Sequence, residues 1–449
     1  MRRCAVFASG RRLAVAGALV FAVAGGASAQ YGGGGGGGGG TPGGSPAAEE
    51  EPKEKKERRW GRKKEEGDDR WAHTYTMDPR TAKRFGEAYE SFQQDDPDGA
   101  LAALGKLRMR SLNPYEKASV FRLRGFIAYS QGDLTEARDL LQQALAENGL
   151  PPDNQAELTF NIAQMWLQEQ NWDEGIAALK EYLKLVKVPN ATPYHLLAIA
   201  HFQKADYEGA LAPAQKAYEI SAEPSEGVLQ LLLAIRLTLR QYPESAPLLK
   251  ELVANYPKKK YYMQLSTVHG ALEQYDDALV PLQLAYVQDM LDQDADLRRL
   301  AQLLLFLELP YRAARVMERG LDDEIVERDE DAFEMLSNSW IAAREFEKAV
   351  EPLEEGAALS EKGDLYIRLA QVHLQREKWS EAAAALRSAL DKGGLRSPGD
   401  AKLLMGIAYY SQKRPERART WFSRARGHAG TRKEADVWIK HIDRELQSG

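Results

Sequence analysis

The sequence predicts an all-α protein: a right-handed α-solenoid of about ten helix pairs, closed by a C-terminal capping helix. Three observations predict it. A pattern of small and aromatic residues returns at a spacing of roughly 35 residues from residue 78 to near the end. Within each copy a small residue follows an aromatic or aliphatic one by a helical turn, placing both on one helix face. The chain has 449 residues, and a single hydrophobic core stops growing near ~250–300 residues.

The first 29 residues read as an address. Residues 1–12 are basic, Leu13 to Ala24 is an uncharged apolar run, and Ala27-Ser28-Ala29 supplies small residues before Gln30. This is the layout of a cleaved secretory signal, and the run is shorter than the ~20 residues a spanning helix needs. The only cysteine, Cys4, lies within the signal, so the mature chain is expected to hold no disulfide and no thiol chemistry. Residues 30–77 are expected to be a disordered linker. Gly32–Gly40 is an unbroken glycine tract, and Glu49 to Arg70 is dense in charge and poor in aliphatic residues. Within it, residues 53–64 (KEKKERRWGRKK) surround Trp60 with basic side chains. Such a run suits peripheral contact with anionic lipid headgroups, a glycan or an acidic partner; it equally suits a solvated spacer. The whole chain carries a net charge of −6. An acidic body lacks the basic face of a nucleic-acid binder, so no nucleic-acid partner is expected.

Residues 78–432 carry the repeats. Clear copies are Phe121…Gly125…Gly132…Ala137…Ala144, Tyr194…Ala198…Tyr207…Ala210…Ala217 and Tyr366…Ala370…Trp379…Ala382…Ala389. The small residue of the second helix recurs at Ala100, Ala137, Gly175, Ala210, Ser245, Ala278, Ala314, Ala349, Ala382 and Ala418. Two antiparallel helices must approach within ~8–10 Å, and only Gly, Ala or Ser at the crossing lets them. The aromatic residues fill the wedge between pairs, and Pro257 sits at the exit of the fifth copy. The length and the residue types resemble the tetratricopeptide repeat (TPR). Residues 433–449 form the capping helix and tail, with Val437, Trp438, Ile442 and Leu446 expected on its buried face.

Motifs that would carry chemistry fail on inspection. The seven histidines make no metal-spaced pair, and His201 and His373 fall on a repeat position that packs. Asp292, Asp294 and Asp296 begin like a calcium loop, but Leu297 and Leu303 stand where Gly and Glu are required. Gly99…Gly105-Lys106 misses the phosphate-loop spacing and has Leu107 in place of Ser or Thr. The acidic stretch Asp322 to Asp331 reads as a solvated turn. No catalytic residue, cofactor or metal is expected, and the chain is read as a binder of other proteins. The partner groove is expected along the first helices, at Gln164, Gln168, Gln203, Thr238, Thr267, Asn338, Gln371 and Gln375. Their amides and hydroxyls can hydrogen-bond an extended peptide backbone. Exposed helix positions are also commonly Gln or Asn for solubility alone.

Four blocks between the consensus positions carry a further resemblance. They are Tyr256-Pro257-Lys258-Lys259-Lys260-Tyr261-Tyr262 with Gln264-Leu265-Ser266; Leu300-Ala301-Gln302 with Pro310-Tyr311-Arg312-Ala313-Ala314 and Glu318-Arg319-Gly320; Leu390-Asp391-Lys392-Gly393-Gly394-Leu395 with Pro398-Gly399 and Leu403 to Ala408; and Leu112-Asn113-Pro114-Tyr115-Glu116 with Phe126 to Tyr129. Over about residues 80–428 the chain resembles the periplasmic TPR proteins that accompany the TonB–ExbB–ExbD energy-coupling system. The resemblance implies a periplasmic accessory factor for energised uptake across the outer membrane. Its partners would be TonB, ExbB, ExbD or outer-membrane receptors. The glycine tract and basic run lie outside the resemblance and favour an alternative, a scaffold for envelope assembly or polysaccharide handling.

Overall fold

The computed structural model describes residues 75–448, which are helical throughout apart from turns. The signal, the glycine tract and the basic run around Trp60 lie outside the described residues. Ten helix pairs follow one another: α1 (Pro79–Gln93) with α2 (Pro97–Gly105), α3 (Pro114–Ser130) with α4 (Leu134–Ala146), α5 (Pro152–Gln168) with α6 (Trp172–Leu185), α7 (Ala191–Gln203) with α8 (Tyr207–Ile220), and α9 (Glu226–Thr238) with α10 (Tyr242–Asn255). The second five are α11 (Lys259–Ala271) with α12 (Tyr275–Val287), α13 (Asp294–Phe306) with α14 (Pro310–Asp322), α15 (Glu330–Ala342) with α16 (Val350–Leu359), α17 (Asp364–Gln375) with α18 (Trp379–Lys392), and α19 (Pro398–Ser411) with α20 (Pro415–Arg426). A last helix, α21 (Arg432–Ser448), packs on α20. Each helix touches mainly its sequence neighbours, as a solenoid requires.

All ten predicted crossing residues of the second helices are buried. At two first-helix crossings even a methyl group would force a neighbouring side chain to shift. At Gly125 an added Cβ would lie 2.6 Å from Leu141 Cδ2, and at Gly406 it would lie 2.6 Å from Phe422 Cε1. Between the two helices of every pair the chain turns the same corner. One residue takes a left-handed conformation, and the next backbone N–H reaches back to a carbonyl five residues earlier. Only the pair formed by α3 and α4 puts glycine there, Gly132 at φ 85°. Elsewhere the corner is Asp95, Gln170, Ala205, Arg240, Glu273, Glu308, Arg344, Glu377 or Lys413, at φ from 57° to 62°. Asp96, Asp133 and Asp206 then cap the following helix by accepting from the N–H of Gly99, Glu136 and Gly209.

The sequence blocks that lie between consensus positions hold the junctions between pairs. Asn113 and Glu116 form a reciprocal capping box at 2.9 Å in each direction, and buried Glu116 also accepts from Asp78 N at 2.7 Å. Tyr75 and Thr76 already lie on this junction, through an edge-on contact with Tyr115 and a bond from Asn113 Nδ2. Gly393 and Gly394 turn the chain between α18 and α19 with φ of 75° and 66°.

Two expectations are refined. The stretch Asp322 to Asp331 is solvated at Asp322, Asp323, Glu324, Glu327, Arg328 and Asp331, but it is also anchored: Val326 is 2% exposed, its methyl fills the space beside Gly320, and Asp329 caps α15. On the capping helix two of the four expected residues, Trp438 and Ile442, turn inward, and Val437 and Leu446 do not. Ala435 and Ile442 are fully buried and Trp438 stacks on Phe422 at 5.2 Å, but Val437 and Leu446 are 66% and 44% exposed. The face that turns inward is set by Ala435, which lets α21 approach α20 closely.

Candidate protein-binding face

The first helices of neighbouring pairs meet one another, as α7 meets α9 and α17 meets α19, and their shared side is the face on which a partner was expected. Two places on each first helix project there. One directly follows the crossing residue, and the other lies one turn later. Gln164, Thr267, Asn338 and Gln371 hold the first place, and Gln168, Gln203, Thr238 and Gln375 hold the second. All are exposed except Asn338, which is half-buried.

The row is not continuous. Ile199 and Ala234 interrupt the first place, and Ala271, Phe306 and Ala342 interrupt the second. Nor are all eight side chains free. The Thr238 hydroxyl donates to the Ala234 carbonyl of its own helix at 2.8 Å. The Thr267 hydroxyl donates to the Met263 carbonyl and accepts from Arg299 Nη2, both at 2.8 Å. Asn338 Oδ1 accepts from Arg368 Nη1 at 2.6 Å. Exposed Gln302 completes the first place in the seventh pair; its position directly after Ala301 was the available signal.

Sequence inspection also missed the arginines. Arg299 and Arg368 each reach back across one pair to a residue of the predicted groove. Arg368 is further paired with Glu334 at 2.8 Å. Beside this pair lies a cleft of about 490 Å³ between α15, α17 and α19, lined by Gln371, Glu330, Asp364 and Asp400 among others. Gln371 is the only one of the eight predicted residues that lines it.

A second charged group spans the fifth to seventh pairs. Lys258 Nζ donates to Glu226 at 2.6 and 2.7 Å, while Lys259 Nζ reaches the other way, to Asp292 at 2.5 Å and Asp296 at 2.6 Å. Tyr261 is 1% exposed and donates its hydroxyl to Glu226. The bonds from Lys258 and Tyr261 hold the Glu226 carboxyl below its ordinary range, and burial together with Glu226 pushes the Tyr261 phenol up. Three histidines, His201, His269 and His373, belong to the corners. His201 Nδ1 lies 2.7 Å from the capping Asp206, and His269 Nδ1 lies 2.8 Å from Gln274. At the same place in the ninth pair the residue is Lys378, and buried His373 Nδ1 has no partner. No cluster of His, Cys, Asp or Glu suited to a metal occurs among the described residues. No described helix is long and apolar enough to cross a membrane.

The family model for the tetratricopeptide repeat matches residues 85–154, 127–192 and 367–432. The chain is an all-helical solenoid of tetratricopeptide-type repeats, a class that serves as protein-interaction scaffolds. A tetratricopeptide repeat protein from Parabacteroides merdae is 14% identical, with 65% of this chain and 99% of that chain covered and a TM-score of 0.32. The MamA protein is 18% identical over 39% of this chain and 93% of its own, with a TM-score of 0.33. YrrB, described as a TPR protein with an unusual peptide-binding site, is 15% identical over 42% of this chain and 96% of its own, with a TM-score of 0.35. No curated protein sequence matches.

Proposed function

We propose that the chain is a non-catalytic periplasmic scaffold that binds a protein partner along its first-helix face and serves TonB-dependent transport across the outer membrane as an accessory component. The observation that carries the binding is the set of exposed amides at equivalent places of the third, seventh and ninth pairs, Gln164, Gln302 and Gln371. Equivalent places recur at each repeat, so an extended segment crossing the pairs meets a donor and acceptor at several steps. The transport role is supported by the four sequence blocks. Two of them build junctions, through the Asn113–Glu116 capping box and the Gly393-Gly394 turn.

The test is photo-crosslinking in intact cells. A crosslinker replacing Gln302 or Gln371 is expected to capture ExbB, ExbD, TonB or an outer-membrane receptor, and one replacing Val280 (53% exposed on the second helix α12) is not. Capture of none of these, with siderophore and cobalamin uptake intact in a deletion strain, ends the transport reading. A second reading, a scaffold for envelope assembly or glycan handling, draws on the basic run at 53–64. It requires that reversing those charges releases the protein from envelope fractions.

A further inference from the structure

Arg299 and Arg368 occupy the same place in their repeats, two residues before the crossing residues Ala301 and Ala370. Each reaches back to the preceding first helix and donates to the residue directly after its crossing, Thr267 in one case and Asn338 in the other. Arg368 has a second anchor, Glu334, three residues before the crossing on α15. The matching place on α11 is Met263. One arginine is therefore neutralised inside the protein and its counterpart is not.

The surroundings of Arg299 keep it so. No carboxylate of the described residues forms an ion pair with it. Asp296, one turn earlier on α13, is the acid whose field reaches it, and that carboxylate is held by Lys259 at 2.6 Å. Half-burial disfavours the charged guanidinium, which is pushed below its ordinary pKa. On α11, one turn before Thr267, the Gln264 side-chain oxygen is buried with no hydrogen-bond partner. On α13, one turn beyond Arg299, Gln302 is exposed. A planar guanidinium with one neutral partner keeps donors for a bidentate carboxylate.

We propose that Arg299 is a subsite for an acidic side chain of the protein partner, which supplies from outside the carboxylate that Glu334 supplies to Arg368. The proposal rests on the first-helix face being the binding face. It goes further by naming the residue and the chemistry of the segment it takes.

The test uses the full chain and a fluorescein-labelled, C-terminally amidated hexaglutamate peptide, followed by fluorescence anisotropy. Wild type is expected to bind, and added salt to weaken binding. Arg299→Gln is expected to weaken it by roughly tenfold or more, the scale of one lost charge-assisted bond. Met263→Glu is expected to weaken it similarly, because it gives Arg299 the internal partner that Arg368 has. Lys250→Gln, which removes one exposed positive charge from the second helix α10, away from the first-helix face, is expected to leave it unchanged. Thermal melts of each variant separate lost binding from lost folding, and Arg299→Gln carries the test if Met263→Glu fails to fold. The proposal is overturned if wild type does not bind, or if Arg299→Gln binds as wild type does. It is equally overturned if a hexaglutamine peptide with a free C-terminal carboxylate binds as well as hexaglutamate. A cellular partner that crosslinks through Gln302 to wild type and to Arg299→Gln alike removes the carboxylate subsite and leaves the scaffold standing.

Discussion

The two halves of the array are built from the same hairpin yet differ in how their cores connect. From Tyr262 to Ile442 the buried apolar side chains form one uninterrupted cluster. Between Ala88 and Val268 they fall into four separate clusters. Left-handed corners and small crossings are common to both, so the difference lies at the junctions between pairs. In a linear array, stability is close to a sum of unit terms and nearest-neighbour interface terms. Identical units with unequal interfaces should therefore melt differently: the C-terminal half as one body, and the N-terminal half in smaller steps.

The largest expected effect tests the first part of that comparison. Trp340 is 1% exposed inside the continuous cluster. Trp340→Ala should cost ~3–5 kcal/mol and lower the main denaturation midpoint. Amide exchange should accelerate together in α15 and α19, and undisturbed protection in α19 would break the single-body picture. Next in size, Ala137→Leu and Ala382→Leu should each overpack a crossing and cost ~1–3 kcal/mol. Faster exchange after the first should stay near α3 to α5, whereas after the second it should spread through α15 to α20. Local effects at both sites would erase the contrast between the halves.

A smaller effect should be the same in both halves. Ala205→Gly and Glu377→Gly relieve a left-handed corner and should stabilise by up to about 1 kcal/mol in urea titrations, reduced by glycine's extra freedom when unfolded. Unequal gains would mean the corners are not equivalent. The smallest effect is on pH. Burial lowers the pKa of His195 in the N-terminal half, and burial followed by the charge of Arg376 lowers that of His373 in the other. The folded state then keeps both rings neutral while the unfolded chain takes up protons first as pH falls through the ordinary histidine value of about 6.5. Their contribution is fully present above that value and declines below it. Melting temperatures from about pH 7.5 to about pH 5.5 should drop less for the His195→Gln, His373→Gln double variant than for wild type.

Much of the fold was legible because it depends on size. Ala, Gly and Ser recur where two helices cross, and the ten second-helix crossings followed from them. Other features had no such signal. Glycine marks a left-handed corner, but nine of the ten corners carry other residues and could not be read that way. Pro213, Pro247 and Pro281 lie inside α8, α10 and α12, where a proline usually argues for a helix end. Neighbouring helices hold these segments helical despite the missing donor. The family model matches only stretches at the two ends, 85–192 and 367–432, and the intervening pairs contain these prolines as well as Leu233 at a first-helix crossing. On the candidate face, residue type placed the amides but not their neighbours. That Arg299 and Arg368 would claim Thr267 and Asn338 depends on the offset between successive pairs, which no single repeat encodes.

The left-handed corners have one more consequence. All ten corner residues are exposed, and each is defined by its backbone conformation and the carbonyl reached by the residue after it. Their side chains are thereby released from the fold. Along one edge of the array stand Asp95, Gly132, Gln170, Ala205, Arg240, Glu273, Glu308, Arg344, Glu377 and Lys413, a sequence of charges with no regularity. Mutation among unbranched residues can rewrite that edge, whereas the left-handed backbone bars β-branched residues and proline, so it forms a margin variable in charge beside a tightly constrained interior.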